Sequence, residues 1–223
     1  MLFVIKEKYV NFNDFEGLEK TLREAVNKQK LSGYFNILDG PVYTNLVKDF
    51  WMNASVVPAG DKEIIQSYVN GNHVFITPSL IALTINCEEF GSCVEHYESN
   101  NVYANHLYLL YANKNNLASP ASLRSIPKFW FQLLVSNLRP REKDLEGLTW
   151  YDKHLLLFLT YNMRVNLPLT IFNFLKKMIE TSREEKTFLI PYGRDLSELF
   201  NKLGMVGDDD VVVEWTEKFE FVE

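Results

Sequence analysis

Apolar positions recur at helical spacing through most of the chain and at strand spacing in only a few places. Phe15, Leu18, Leu22 and Val26 share one face of a segment ending near Leu31, with Asp14 standing where an N-cap belongs. Val42, Leu46, Val47, Phe50 and Trp51 form the next stripe. Pro41 precedes it, in the position where a missing N–H costs nothing. The strand signal is strongest at Ile64–Val69 and His73–Thr77. These runs flank Asn70-Gly71, a pair that adopts positive φ cheaply, so a β-hairpin is expected over 64–77. Ser55 to Lys62, with Pro58 and Gly60, reads as a loop, and residues 2–12 read as an extended lead-in.

The second half is helical in pattern. Pro127 opens a run carrying Phe129, Trp130, Leu133, Leu134 and Leu138. Thr149 caps a segment, Leu155 to Leu159, that is apolar almost all round and therefore belongs at the centre of the fold. Pro168 starts a helix with Ile171, Phe172, Leu175, Met178 and Ile179 on one stripe. A last helix carries Leu196, Leu199, Phe200 and Leu203, and Gly204 stops it. Val211–Val213 with Trp215, Phe219 and Phe221 reads as an edge strand. The expected fold is mainly α: a single helical domain over 1–207 with one β-hairpin, at the margin of α+β, followed by an acidic tail over 208–223.

Composition narrows the class. At 223 residues, with 47% hydrophobic and 14% aromatic content, the chain has ample material for a core. Seven acids and one base from Asp208 to Glu223 account for the whole net charge of −6. That leaves 22 acids against 22 bases in the body. A neutral body lacks the global basic bias of non-specific nucleic-acid binders, and the acidic end reads as solvated. Two cysteines do not make a disulfide scaffold. The longest apolar run falls far short of the ~20 residues of a membrane span. The expectation is an intracellular protein, cytoplasmic or nuclear, without a membrane partner.

Candidate chemistry is sparse. Cys87, Cys93, His96 and His106 are the one soft-ligand cluster, but five residues separate the cysteines and nine the histidines. Structural zinc sites favour closely spaced pairs. Gly207-Asp208-Asp209-Asp210 between apolar flanks looks like a polymerase turn that would hold magnesium, without the second carboxylate motif such an enzyme needs. No Gly-x-Ser-x-Gly elbow or phosphate loop occurs. No catalytic residue and no cofactor is assigned. Arg124, Lys128, Arg139, Arg141 and Lys143 bracket Phe129-Trp130-Phe131, the arrangement of a single-strand groove with basic ends and aromatic stacking. The competing reading is a core helix with solvated termini.

Four stretches carry a resemblance. They are Gly40 to Trp51; Val69-Asn70-Gly71 through Thr77-Pro78 to Glu89; Leu148-Thr149-Trp150 through Asn166-Leu167-Pro168; and Ile190-Pro191-Tyr192-Gly193-Arg194 to Phe200. In this order they resemble the plant retroelement family called putative plant transposon protein, over about residues 35–205. The resemblance implies a mobile-element origin and a mostly helical domain, with no established active site to carry over. The leading expectation is a non-catalytic module that binds a protein partner or self-associates. The alternative is a nucleic-acid-binding module of a mobile element, and a metal-dependent transposase or nuclease stands behind both.

Overall fold

The structure is a computed structural model describing residues 2–97, 103–141, 145–182, 188–207, 210 and 217–222, the side chain of His96 excepted. It is mainly α with two small sheets. In chain order, β1 (Leu2–Val4) leads into α1 (Glu19–Gln29), α2 (Ser32–Ile37) and α3 (Thr44–Asn53). A three-stranded meander follows, β2 (Ser55–Ala59), β3 (Lys62–Val69) and β4 (Asn72–Ile76), and then α4 (Pro78–Thr84). The rest comprises α5 (Ser125–Leu133), α6 (Trp150–Thr160), α7 (Leu167–Ser182), β5 (Phe188–Ile190) and α8 (Gly193–Lys202).

The helices form largely for the reasons their patterns suggest. Thr149 accepts from the Asp152 amide while the Asp152 carboxylate accepts from the Thr149 amide, a complete capping box at the start of α6. Every residue of α6 from His154 to Leu159 is buried, and the helix lies against α5. Pro168 stands in the first turn of α7, whose apolar stripe packs on α4 and β2. Other boundaries move. Asp14 ends a short 3-10 turn (Phe12–Asp14) and does not cap α1. Pro41 lies outside α3, which begins at Thr44.

The β content exceeds a single hairpin. The Asn70-Gly71 turn joins β3 to β4 as expected, with Val69 opposite Asn72. The stretch expected to be a loop supplies β2, antiparallel to β3, with Ser55 opposite Gln66 and Ala59 opposite Lys62. Pro58 is tolerated because β2 is an edge strand, where one missing N–H breaks no ladder. Gly60, at φ 69°, makes the turn into β3. A second sheet pairs β1 with β5 in parallel, Leu2 opposite Phe188 and Val4 opposite Ile190. The acidic end also departs from a free tail: residues 217–222 lie on the body and Phe219 is buried. Val211–Val213, the expected edge strand, lies outside the described residues.

One continuous apolar cluster runs from Val10 to Phe219 through α1, α3, α5, α6, α7 and α8. Among the described residues, no helix is long and apolar enough to cross a membrane. The first residue of α8, Gly193, is where the N-terminal strand presses closest. A Cβ there would stand 2.5 Å from Val4 Cγ1 and 2.8 Å from the Ile5 carbonyl oxygen. We expect Gly193→Ala to destabilise the protein by roughly 1–3 kcal/mol, the usual cost of overpacking. Chemical denaturation should show an earlier midpoint; an unshifted midpoint contradicts the close approach.

Candidate functional site

A groove of about 820 Å³ lies between the strand-like segment after β1 and the outer face of α5. Ile5, Phe131 and Val135 supply apolar lining. Lys6, Lys8 and Lys128 line it as well. Helix α5 does not end in a regular turn. It widens into a π-helix over Leu134–Leu138, a feature often found at functional sites. The extra residue per turn rotates Asn137 inward, where it is fully buried. Its side-chain amide donates to the Lys8 carbonyl oxygen at 2.6 Å and its carbonyl accepts from the Lys8 amide at 3.4 Å. The hydroxyls of Tyr34 and Tyr192 donate to the Asn137 and Leu138 carbonyl oxygens, each at 2.8 Å, satisfying backbone acceptors at the helix end. The groove therefore has a fixed wall.

One side of the groove is walled by a second segment of the chain, Glu217 to Val222. The Tyr9 amide donates to the Glu217 carbonyl oxygen at 2.9 Å, and the Phe219 amide donates to the Tyr9 carbonyl oxygen at 2.8 Å. Gln132 reads the backbone of Val222 with both halves of its amide, at 2.6 and 3.0 Å. The Phe219 ring stands edge-on to Phe129 at 5.5 Å, and the Phe221 ring does the same at 5.4 Å. Lys8 lies 3.5 Å from the Glu217 carboxylate.

The five basic residues singled out in the sequence do not form one basic face. Lys128 lines the groove, as does Arg141. The Arg141 guanidinium, however, grips the buried Asp152 carboxylate through two bonds of 2.9 and 2.8 Å. Arg139 lies 3.7 Å from the same carboxylate, over the rings of Tyr151 and Phe174. Burial raises the Asp152 pKa, but the Arg141 pairing and the Thr149 hydrogen bonds outweigh it, so the carboxyl titrates below its usual range. Arg124 donates to the Tyr111 carbonyl oxygen at 3.2 Å. Lys143 lies outside the described residues.

The soft ligands fare similarly. Cys87 and Cys93 are buried free thiols, with burial pushing their pKa values to about 11 and about 12. The Cys93 thiol donates to Glu95 at 2.8 Å. His106 stands edge-on to Tyr103, and nothing is described of the His96 side chain. Among the described residues, no three His, Cys, Asp or Glu side chains gather as a metal site. Asp210 accepts from the Gly207 amide and from Asn45, each at 2.6 Å; Asp208 and Asp209 lie outside the described residues.

A family model described as "putative plant retrotransposon-related domain" matches residues 28–206. The chain belongs to this family. The resemblance drawn from residues 35–205 is thus borne out. No curated protein and no solved structure matches the chain. The matched part of the retrotransposon-related domain contains α5, its π-helix and α8. Both strips that complete the groove, Ile5 to Tyr9 and Glu217 to Val222, fall outside it.

Glu7, between the groove-lining Lys6 and Lys8, belongs to a buried charged cluster with Arg194 and Asp195, a role that the Ile190-to-Arg194 phrase did not reveal. Arg194, in the first turn of α8, is 2% exposed. Its Nε donates to the Glu7 carbonyl oxygen at 2.9 Å, its amide donates to Glu7 Oε2 at 2.8 Å, and its Nη1 reaches the Gly40 carbonyl oxygen. Burial lifts Glu7 from 4.5 to about 7, against the lowering effect of hydrogen bonds and the guanidinium. Asp195 is buried with no hydrogen-bond partner for either carboxylate oxygen, and burial raises it well above its usual value. A carboxyl raised on folding is protonated more readily in the native state. Its stabilising effect holds below the unfolded pKa and is lost as pH rises through the folded one. Asp195→Asn, neutral at every pH, should therefore melt higher than the parent, by ~2–4 °C for each kcal/mol recovered at this size. The gap should widen from pH 5 to pH 8 in parallel thermal melts; a constant or reversed gap would refute the assignment.

Proposed function

We propose that this domain is a non-catalytic protein-binding module of mobile-element origin. Its groove takes an extended segment of a protein partner in which aromatic and acidic residues alternate. The supporting observation is the manner in which Glu217–Val222, which walls one side of the groove, is itself held on the body. Gln132 reads the backbone, the ring of Phe129 receives alternate aromatic side chains, and Lys8 meets a carboxylate. Backbone pairing with alternate side-chain pockets is a general mode of peptide recognition, tolerant of sequence and specific in spacing. The rest of the groove, lined by Lys128, Phe131 and Val135, presents a cation and apolar surface to a second segment.

A second reading has its own observation. Lys6, Lys8 and Lys128 line a single groove beside Phe131, the combination a single nucleic-acid strand would use. Salt separates the two. Fluorescence anisotropy of the full chain should detect a labelled peptide of alternating Phe and Glu, with affinity falling at least fivefold in Lys128→Glu and only about two- to threefold between 50 and 200 mM salt. Tight binding of a labelled oligonucleotide that weakens steeply over the same range favours the second reading. Failure to bind either probe removes both.

A further inference from the structure

The outer edge of the three-stranded sheet presents a different surface. β4 is the last strand of that sheet and, among the described residues, pairs with β3 alone. Its turn has two residues, Asn70 at φ 50° and Gly71 at φ 77°, so the flanking pair Val69 and Asn72 exchanges hydrogen bonds. Alternation then commits the amides of Asn72, Val74 and Ile76 to β3, and directs the N–H and C=O groups of His73 and Phe75 outward. The side chains follow the same alternation. Val74 and Ile76 are buried, while His73 and Phe75 are exposed, Phe75 by 50%. On the open face the His73 ring lies 3.9 Å from that of Tyr68 and 5.7 Å from that of Phe75, almost parallel to the latter.

Natural edge strands are usually protected by a lysine, a proline or a bulge, and β4 carries none of these. The geometry points to self-association: β4 pairs antiparallel with β4 of a second copy about a two-fold axis at Val74. This register sets His73 of each copy opposite Phe75 of the other. It uses all the outward N–H and C=O groups of these residues in four hydrogen bonds and makes two aromatic cross-strand pairs. Charge permits the same occupant. The strand has no charged residue, so no like charges face each other across the pair. A five-residue edge is small beside the ~800 Å² per partner of a standard interface, so the pair is weak and forms at high concentration.

Sedimentation velocity on the full chain should show a dimer whose fraction rises with concentration toward the millimolar range. Hydrogen exchange at the His73 and Phe75 amides should slow in step. Phe75→Lys, which removes both aromatic pairs, should raise the dissociation constant roughly tenfold or more, whereas Lys128→Glu in the groove should not affect it. A monomer at every concentration overturns the inference. So does a dimer in which those two amides exchange as fast as in the monomer, a comparison that needs no variant to fold.

Discussion

A single buried guanidinium holds together three parts of the chain that have no local reason to meet. Arg194 bonds the N-terminal segment at Glu7, the α2–α3 connection at Gly40 and, through its own helix, the end of β5. Burying such a charge is costly unless it is paired and fully hydrogen-bonded. The guanidinium donates to the backbone carbonyls of Glu7 and Gly40, while the Glu7 carboxyl accepts from the Arg194 backbone amide close by. The parallel β1–β5 pairing, the close approach at Gly193 and the course of residues 5–9 are all arranged around this contact. The groove wall is in turn those residues, pinned on their other side by Asn137.

Local chemistry made part of this legible. The Thr149 cap, the Asn70-Gly71 turn, the stripe of α7 and the Gly204 stop each depend on a few neighbouring residues, and each stands where its residues place it. The features that escaped depend on partners far away in sequence. Pro58 argues against a strand until one knows that β2 has a free edge. Leu2–Val4 is too short to declare itself without β5 beside it. Arg139 and Arg141 look like surface charge until Asp152, at the start of α6, turns out to be buried between them. Ser136-Asn137, two polar residues in an otherwise apolar run, were the available trace of the π-helix. Asn137 is a poor helix former that works here because its amide faces the Lys8 backbone.

The domain family and the groove are related but not coextensive. Residues 28–206 carry the family match and nearly all the core helices. The strips on either side turn the outer face of α5 from a helix surface into a channel. The scaffold is thus a family property, whereas the channel depends on flanking sequence. Relatives with different flanks would share the helices and present a different surface.

The parallel pairing of β1 with β5 also bears on how the chain acquires its structure. Glu7 and Arg194 are 187 positions apart, so the first strand has no pairing partner until the segment that carries β5 and Arg194 has been made. At ordinary rates of ~5–20 residues per second, that leaves the leading segment open on the ribosome for about ten seconds or more. Contacts of such sequence separation also form late in refolding. Closing the amino-terminal strap over α8 therefore carries the loop-closure cost of a 187-residue separation and slows folding accordingly.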